Sequence, residues 1–292
     1  MGRFEGLLTA LVTPFRGGSV DEDALRSLVE AQIDAGVDGL VPCGTTGEST
    51  VLEQQEYVRV VRAAVEQAKG RVPVVAGAGS SSTGRTIELC KLARSAGADG
   101  VLLVVPYYNR PSQEGLVAHY RAVLRAVPRP AIIYNIPART GADLEVASLR
   151  GLADVPEIVG IKEATGDVAR AQDIIAACGD RFAVLSGDDL LTLAVLGVGG
   201  RGVISVSSNV APALVLEVVR SFRQGDFAAA WRAHYRLLSL HKAMFVEGNP
   251  GPVKAALASM GRIAPELRLP LVWPREASLA EVRRALAELD LA

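Results

Sequence analysis

Eight short apolar runs recur along this 292-residue chain, and each leads into a longer stretch with helical spacing. The runs are 7–12, 39–42, 72–76, 100–105, 131–134, 158–162, 182–186 and 202–205. Between them, Leu25, Leu28, Val29 and Ile33 mark one amphipathic stripe, and Leu116, Tyr120, Val123, Leu124 and Val127 another. Strands that alternate with helices at spacings of roughly 20 to 35 residues predict a parallel sheet. An open doubly wound sheet shares this alternation, but eight units in about 220 residues match a closed barrel better. No G-x-G-x-x-G follows the first run, which weakens the dinucleotide-binding alternative. The pattern changes after Ser221, where 226–245, 252–260 and 278–289 read as helices. The expected fold is therefore α/β: a (β/α)8 barrel over residues 1–225, carrying the chemistry, and a C-terminal helical appendage over 226–292. Asp21 is the expected cap of the first helix, with Val20 stapled to Leu25, and Ser278 with Glu281 reads as a capping box for the last.

Composition narrows the function. With 49% hydrophobic and 22% charged residues and a net charge of −1, the chain offers no electrostatic case for binding nucleic acid or a membrane surface. It has no run of about 18 apolar residues and no apolar leader at its start, so a cytoplasmic protein is expected. Cys43, Cys90 and Cys178 are odd in number and widely spaced, which fits a reducing compartment and gives no zinc motif. His119, His234 and His241 form no H-x-x-x-H pattern, so no metal site is expected.

The polar residues of interest fall just after the runs, where a barrel gathers its active site. Lys162 ends the sixth run, in a chain with only five lysines among 31 basic residues. It is either a strand-end lysine snorkelling to water or a desolvated amine able to form a Schiff base. Thr45 and Thr46 follow the second run, in a glycine-flanked loop that is either a plain turn or a cradle for a small carboxylate. Tyr107 and Tyr108 follow the fourth, Tyr134 ends the fifth with Arg139 in the loop beyond, Gly187 follows the seventh, and Ile204 lies in the eighth. Asp188-Asp189 reads as helix capping, and Asn249-Pro250-Gly251-Pro252 as a rigid turn before a helix.

Taken together, 44–49 (GTTGES), 106–111 (PYYNRP), 134–137 (YNIP), 160–164 (GIKEA), 186–189 (SGDD) and 249–254 (NPGPVK) resemble the dihydrodipicolinate synthase and N-acetylneuraminate lyase superfamily of pyruvate-dependent class I aldolases, over nearly the whole chain. Within it, Ala138-Arg139-Thr140-Gly141 looks like the synthase branch. The resemblance implies that Lys162 condenses with pyruvate and that the enamine attacks L-aspartate 4-semialdehyde, with no cofactor beyond that covalent imine. It implies a proton relay of Tyr134, Thr45 and a Tyr108 donated by a neighbouring subunit, with Thr46 and the Ile204 backbone holding pyruvate and Arg139 the semialdehyde carboxylate. It further implies a homotetramer built from tight dimers. A lysine-binding site of the family corresponds here to Ser49, Gln54, Tyr57, Ser81, Arg85 and Tyr107, with Arg85 where a glutamate is usual, so lysine sensitivity is expected to be lost or weak. The alternatives are another aldolase or lyase of the superfamily acting on a keto-deoxy sugar acid or sialic acid, and, from a different class, a catalytically silent barrel that binds ligands.

Overall fold

The structure, a computed structural model, describes residues 4–291. Its strands are β1 (Gly6–Ala10), β2 (Phe15–Arg16), β3 (Ser19–Val20), β4 (Gly39–Val41), β5 (Val75–Gly77), β6 (Gly100–Val104), β7 (Ala131–Asn135), β8 (Ile158–Glu163), β9 (Ala183–Ser186) and β10 (Gly202–Ser205). Eight of them form one parallel sheet in the order β4-β1-β10-β9-β8-β7-β6-β5. A further parallel bridge between Leu40 and Val74 joins its two ends, so the sheet closes into a barrel. All eight expected strands are present, with ends shifted by up to three residues.

Each barrel strand is buried on both faces, which is why the runs read as apolar throughout. Alternate residues point to opposite faces. Leu8, Val41, Val75, Leu102, Ile132, Tyr134, Leu185 and Ile204 fill the interior. Leu7, Leu40, Ala76, Val101, Leu103, Ile133, Ile161, Val184 and Val203 face outward, under the helices.

Those helices are α1 (Glu22–Asp34), α2 (Gln54–Ala68), α3 (Thr83–Ser95), α4 (Gln113–Ala126), α5 (Pro137–Thr140), α6 (Val146–Arg150), α7 (Val168–Cys178), α8 (Thr192–Gly197), α9 (Pro212–Arg223), α10 (Phe227–Arg236), α11 (Leu238–Ala243), α12 (Gly251–Ser259) and α13 (Glu276–Ala287). Asp21 caps α1 as expected, its carboxylate accepting from the Ala24 N–H at 3.0 Å. The buried stripe of α1 holds Leu25, Leu28 and Val29, each contributing about 1.5–3 kcal/mol on full burial. None of the described helices is long and apolar enough to cross a membrane.

The structure corrects two local expectations and adds one hairpin. The 226–245 stretch is two helices, broken at Leu237, because α10 packs on α9 while α11 turns to meet α13. The last helix starts one turn earlier than the proposed capping box, so Ser278 lies inside α13 and is buried. Its N-terminus is served from 28 residues away: Glu247 accepts from the Arg275 N–H at 2.9 Å, and a hydrogen bond from Ser278 foremost holds its carboxyl below the usual range. The β2–β3 hairpin had no signature in the sequence beyond Gly17-Gly18 at its turn.

Candidate active site

Lys162 is placed by the pleat of β8 and by its ladder with β7. Its Cα partners are Tyr134 on β7 and Leu185 on β9, both interior residues. The side chain is therefore inside the barrel mouth and only 5% exposed. Burial lowers its pKa from the ordinary 10.5 to about 8, with Asp189 opposing the shift and Arg139 adding to it. A neutral amine is the nucleophilic form, and near pH 7 a pKa of 8 leaves about a tenth of the amine neutral. The ammonium nitrogen sits 4.3 Å from the centre of the Tyr134 ring.

Tyr134 is buried as well, and desolvation pushes its phenol up to about 12. Arg139 and a hydrogen bond with Thr45 work against that rise. The Thr45–Thr46 loop begins at Cys43 and closes at Glu48, both with left-handed backbone (φ 56° and 51°). Gly77 lets the next strand pass beneath it: a Cβ there would lie 2.0 Å from the Cys43 carbonyl oxygen. The Thr46 hydroxyl accepts from the Asn249 side-chain amide at 3.0 Å. Gly187 faces Lys162 directly, and a Cβ there would come within 3.1 Å of Lys162 Cε and 2.5 Å of Ala164 Cβ.

These groups surround a small pocket of about 50 Å³, walled by Thr45, Thr46, Tyr134, Arg139, Lys162 and Gly187. Beside it lies a larger cavity of about 430 Å³ that shares Thr45, Tyr134 and Arg139 with it. Lys162 lines the small pocket and not the larger one. Arg139 is exposed on α5 and stands on the wall of both. Ile204 is buried in the barrel interior, opposite Leu8, and its side chain walls neither cavity; Val206 does. Tyr108 is 92% exposed in the single chain and has φ 72°, a conformation unusual for an aromatic residue.

Of the six residues assigned to a lysine site, Ser49, Tyr57, Arg85 and Tyr107 stand together on the larger cavity. Gln54 is exposed at the start of α2, and Ser81 offers its carbonyl to Asn109; neither reaches that wall. Arg85 is paired with Glu88 at 3.0 Å.

The sequence reading missed two roles. Asn249, taken as part of a turn, lines both cavities and holds Thr46. Asp188 does cap, accepting from the Leu190 N–H at 2.9 Å. Asp189 does not: it is buried and accepts from Ser205 Oγ (2.5 Å) and the N–H groups of Val206 (2.9 Å) and Ser207 (3.1 Å), fixing the end of β10. The pairing of β9 with β10 brings those partners to it from 16 to 18 residues away, so no local signal marked the difference.

Comparison with known proteins shows the family. The model of the dihydrodipicolinate synthetase family matches residues 3–289. A 4-hydroxy-tetrahydrodipicolinate synthase of Nitratidesulfovibrio vulgaris (strain Miyazaki F) is 55% identical over 286 residues, 98% of each chain. Among solved structures, a dihydrodipicolinate synthase variant described as the first monomeric one superposes with a TM-score of 0.98 at 41% identity, covering 99% of this chain and 98% of that one. A chloride-inhibited dihydrodipicolinate synthase from Acinetobacter baumannii, complexed with pyruvate, gives a TM-score of 0.96 at 42% identity over 99% of both chains.

Proposed function

This chain belongs to the dihydrodipicolinate synthetase family, and from that premise we propose that it condenses pyruvate with L-aspartate 4-semialdehyde to give 4-hydroxy-tetrahydrodipicolinate, in lysine and diaminopimelate biosynthesis. The observation that carries the reading is the Lys162 amine: buried, lowered to about 8 and set against Tyr134 in a pocket for a small molecule.

The Lys162 amine adds to the pyruvate carbonyl, and water leaves to form the protonated imine. Loss of a methyl proton gives the enamine, whose carbon attacks the aldehyde of the semialdehyde. The semialdehyde amine then closes on the imine carbon and releases Lys162. Each step moves a proton, which we assign to Tyr134 with Thr45; the hydrogen bond between them supports this. A phenol pushed up to about 12 stays protonated at neutral pH and can both donate and take back that proton. Thr46 and the backbone near Ile204 hold pyruvate, and Gly187 leaves room for the adduct. Arg139, with its planar fork, suits the carboxylate of the second substrate. The only covalent carrier is the lysine itself.

Tyr108 completes the relay from a neighbouring subunit, in a homotetramer assembled from tight dimers. Its exposure and its left-handed backbone support this, since such a conformation is retained where a site requires it. A cytoplasmic setting suits the three free cysteines.

Borohydride reduction in the presence of pyruvate, followed by peptide mass spectrometry, tests the reading. The expected result is a single adduct on Lys162, lost in Lys162→Ala. An adduct on another lysine, or none on active protein, overturns it.

A further inference from the structure

Helix α12 approaches the barrel mouth from near the end of the chain. Its Lys254 is completely buried, with the ammonium nitrogen 2.6 Å from Glu48 Oε1 and 3.0 Å from the Thr13 carbonyl oxygen. Glu48 uses its other oxygen to accept from the Arg268 N–H at 3.1 Å. The Phe15 ring lies 4.3 Å from the Lys254 ammonium and 4.3 Å from the Arg268 guanidinium. Lys254 lines neither cavity.

A fully buried ion pair is a poor stability device, because desolvating both charges cancels most of their attraction. What this pair does geometrically is specific. Glu48 closes the loop that carries Thr45 and Thr46, and both of that loop's ends hold left-handed backbone without glycine. Such conformations persist only where the surroundings over-determine them. The surroundings here are Thr13, whose hydroxyl donates to the Gly47 carbonyl at 2.7 Å, Asn249 on Thr46, and Lys254 with Arg268 on Glu48. Three of those four come from 249–268, some 200 residues beyond the loop.

We propose that Lys254 and Glu48 are a positioning pair, by which helix α12 clamps the 43–49 loop so that Thr45 keeps its hydrogen bond with Tyr134. The consequence for turnover rests on the function proposed above; the clamp on the loop does not.

The double substitution Lys254→Met/Glu48→Gln tests it, since it leaves no unpaired buried charge. Hydrogen exchange should quicken about tenfold in the 43–52 segment while the barrel strands keep their protection. Trapping of pyruvate should reach the same extent. The kcat should fall about 10- to 100-fold, as expected when a proton-transfer partner is misplaced, with KM for pyruvate changed less than about threefold. In a Thr45→Val background the same double substitution should cost less than about twofold, because the group it positions is already gone. Should the double variant not fold, Glu48→Gln alone carries the same expectations: its one amide oxygen can accept from Lys254 or from the Arg268 N–H but not from both, and the Thr13 carbonyl stays on the ammonium. Unchanged exchange at 43–52, exchange quickened throughout the barrel, or a kcat loss fully additive with Thr45→Val would overturn the clamp. Quickened exchange confined to 43–52, in a protein whose unaltered form takes no pyruvate adduct on Lys162, would uphold the clamp and overturn the proposed function instead.

Discussion

Tyr134 and Lys162 are register partners on adjacent strands, and they are partners because the ladder between β7 and β8 shifts by one residue. Ala131 pairs with Ile158, but Ile132 pairs with Gly160, so Val159 is passed over. Without that shift Tyr134 would stand opposite Ile161, and a slip of one residue sends a strand's side chains to the other face. The irregularity therefore puts the amine and the phenol on the same wall of the barrel, with nitrogen and ring centre 4.3 Å apart.

Imine formation should follow the titration of Lys162. Its pKa is lowered to about 8, so the rate of borohydride-trappable adduct formation at fixed pyruvate should rise about tenfold from pH 6 to 7 and level off above 8. A rate still climbing steeply at pH 9.5 would mean that the amine is not perturbed.

Burying Lys162 should lower stability, and the sign is testable. Below pH 8 the amine is protonated in folded and unfolded chains alike, and the folded state bears the full desolvation penalty. Between 8 and the ordinary 10.5 the unfolded chain binds the extra proton, so stability rises with pH. Lys162→Met should thus be more stable than the parent at pH 7, by up to about 3 kcal/mol, with the gap shrinking toward pH 10.5. Urea unfolding at both pH values measures it.

Arg139→Ala should lower kcat/KM for the semialdehyde about 30- to 1000-fold, the loss of roughly 2–4 kcal/mol from a charge-assisted contact. Pyruvate trapping should change far less, slowing slightly near pH 7 because the Arg139 charge helps to depress the Lys162 pKa. Equal loss for both substrates would make Arg139 structural.

Activity should require two chains in contact. Tyr108→Phe and Lys162→Ala, each inactive alone, should recover part of the activity when mixed subunits are formed. No recovery in verified mixed dimers would put Tyr108 outside the relay.

L-Lysine should inhibit weakly or not at all. Arg85 stands on the larger cavity, and at about 4 Å a like-charge contact with the ligand's ammonium costs between roughly 1 and 4 kcal/mol, depending on exposure. Glu88 offsets part of that charge, which places the expected effect toward the lower end. Arg85→Glu should tighten lysine binding about 10- to 100-fold. Strong inhibition of the unaltered protein at sub-millimolar lysine, read in a steady-state assay, would contradict this.

Much of the architecture was legible in the chain. The eight strands and most of the helices follow from periodicity, and the first cap from Asp21 alone. Where the reading failed, a distant partner had displaced a local one. Glu247 serves the start of α13 in place of Ser278, and Asp189 turns from capping its own turn to binding the end of β10. The buried Gln32, which accepts from the Thr9 hydroxyl and donates to the Ser208 carbonyl, was hidden for the same reason inside an apolar stripe.

By itself the sequence determined which segments are strands or helices, and which polar residues end up at strand ends, because a short continuous apolar run and an apolar stripe at period 3.6 are local properties. It could not determine which of those residues meet. That Tyr134 faces Lys162 was decided by the one-residue shift between β7 and β8, and that Lys254 reaches Glu48 by the packing of α12 on the barrel mouth. Register and closure depend on the neighbouring strand and helix. Inside a closed barrel every strand is apolar on both faces, so the pattern within one strand carries no preference for either register.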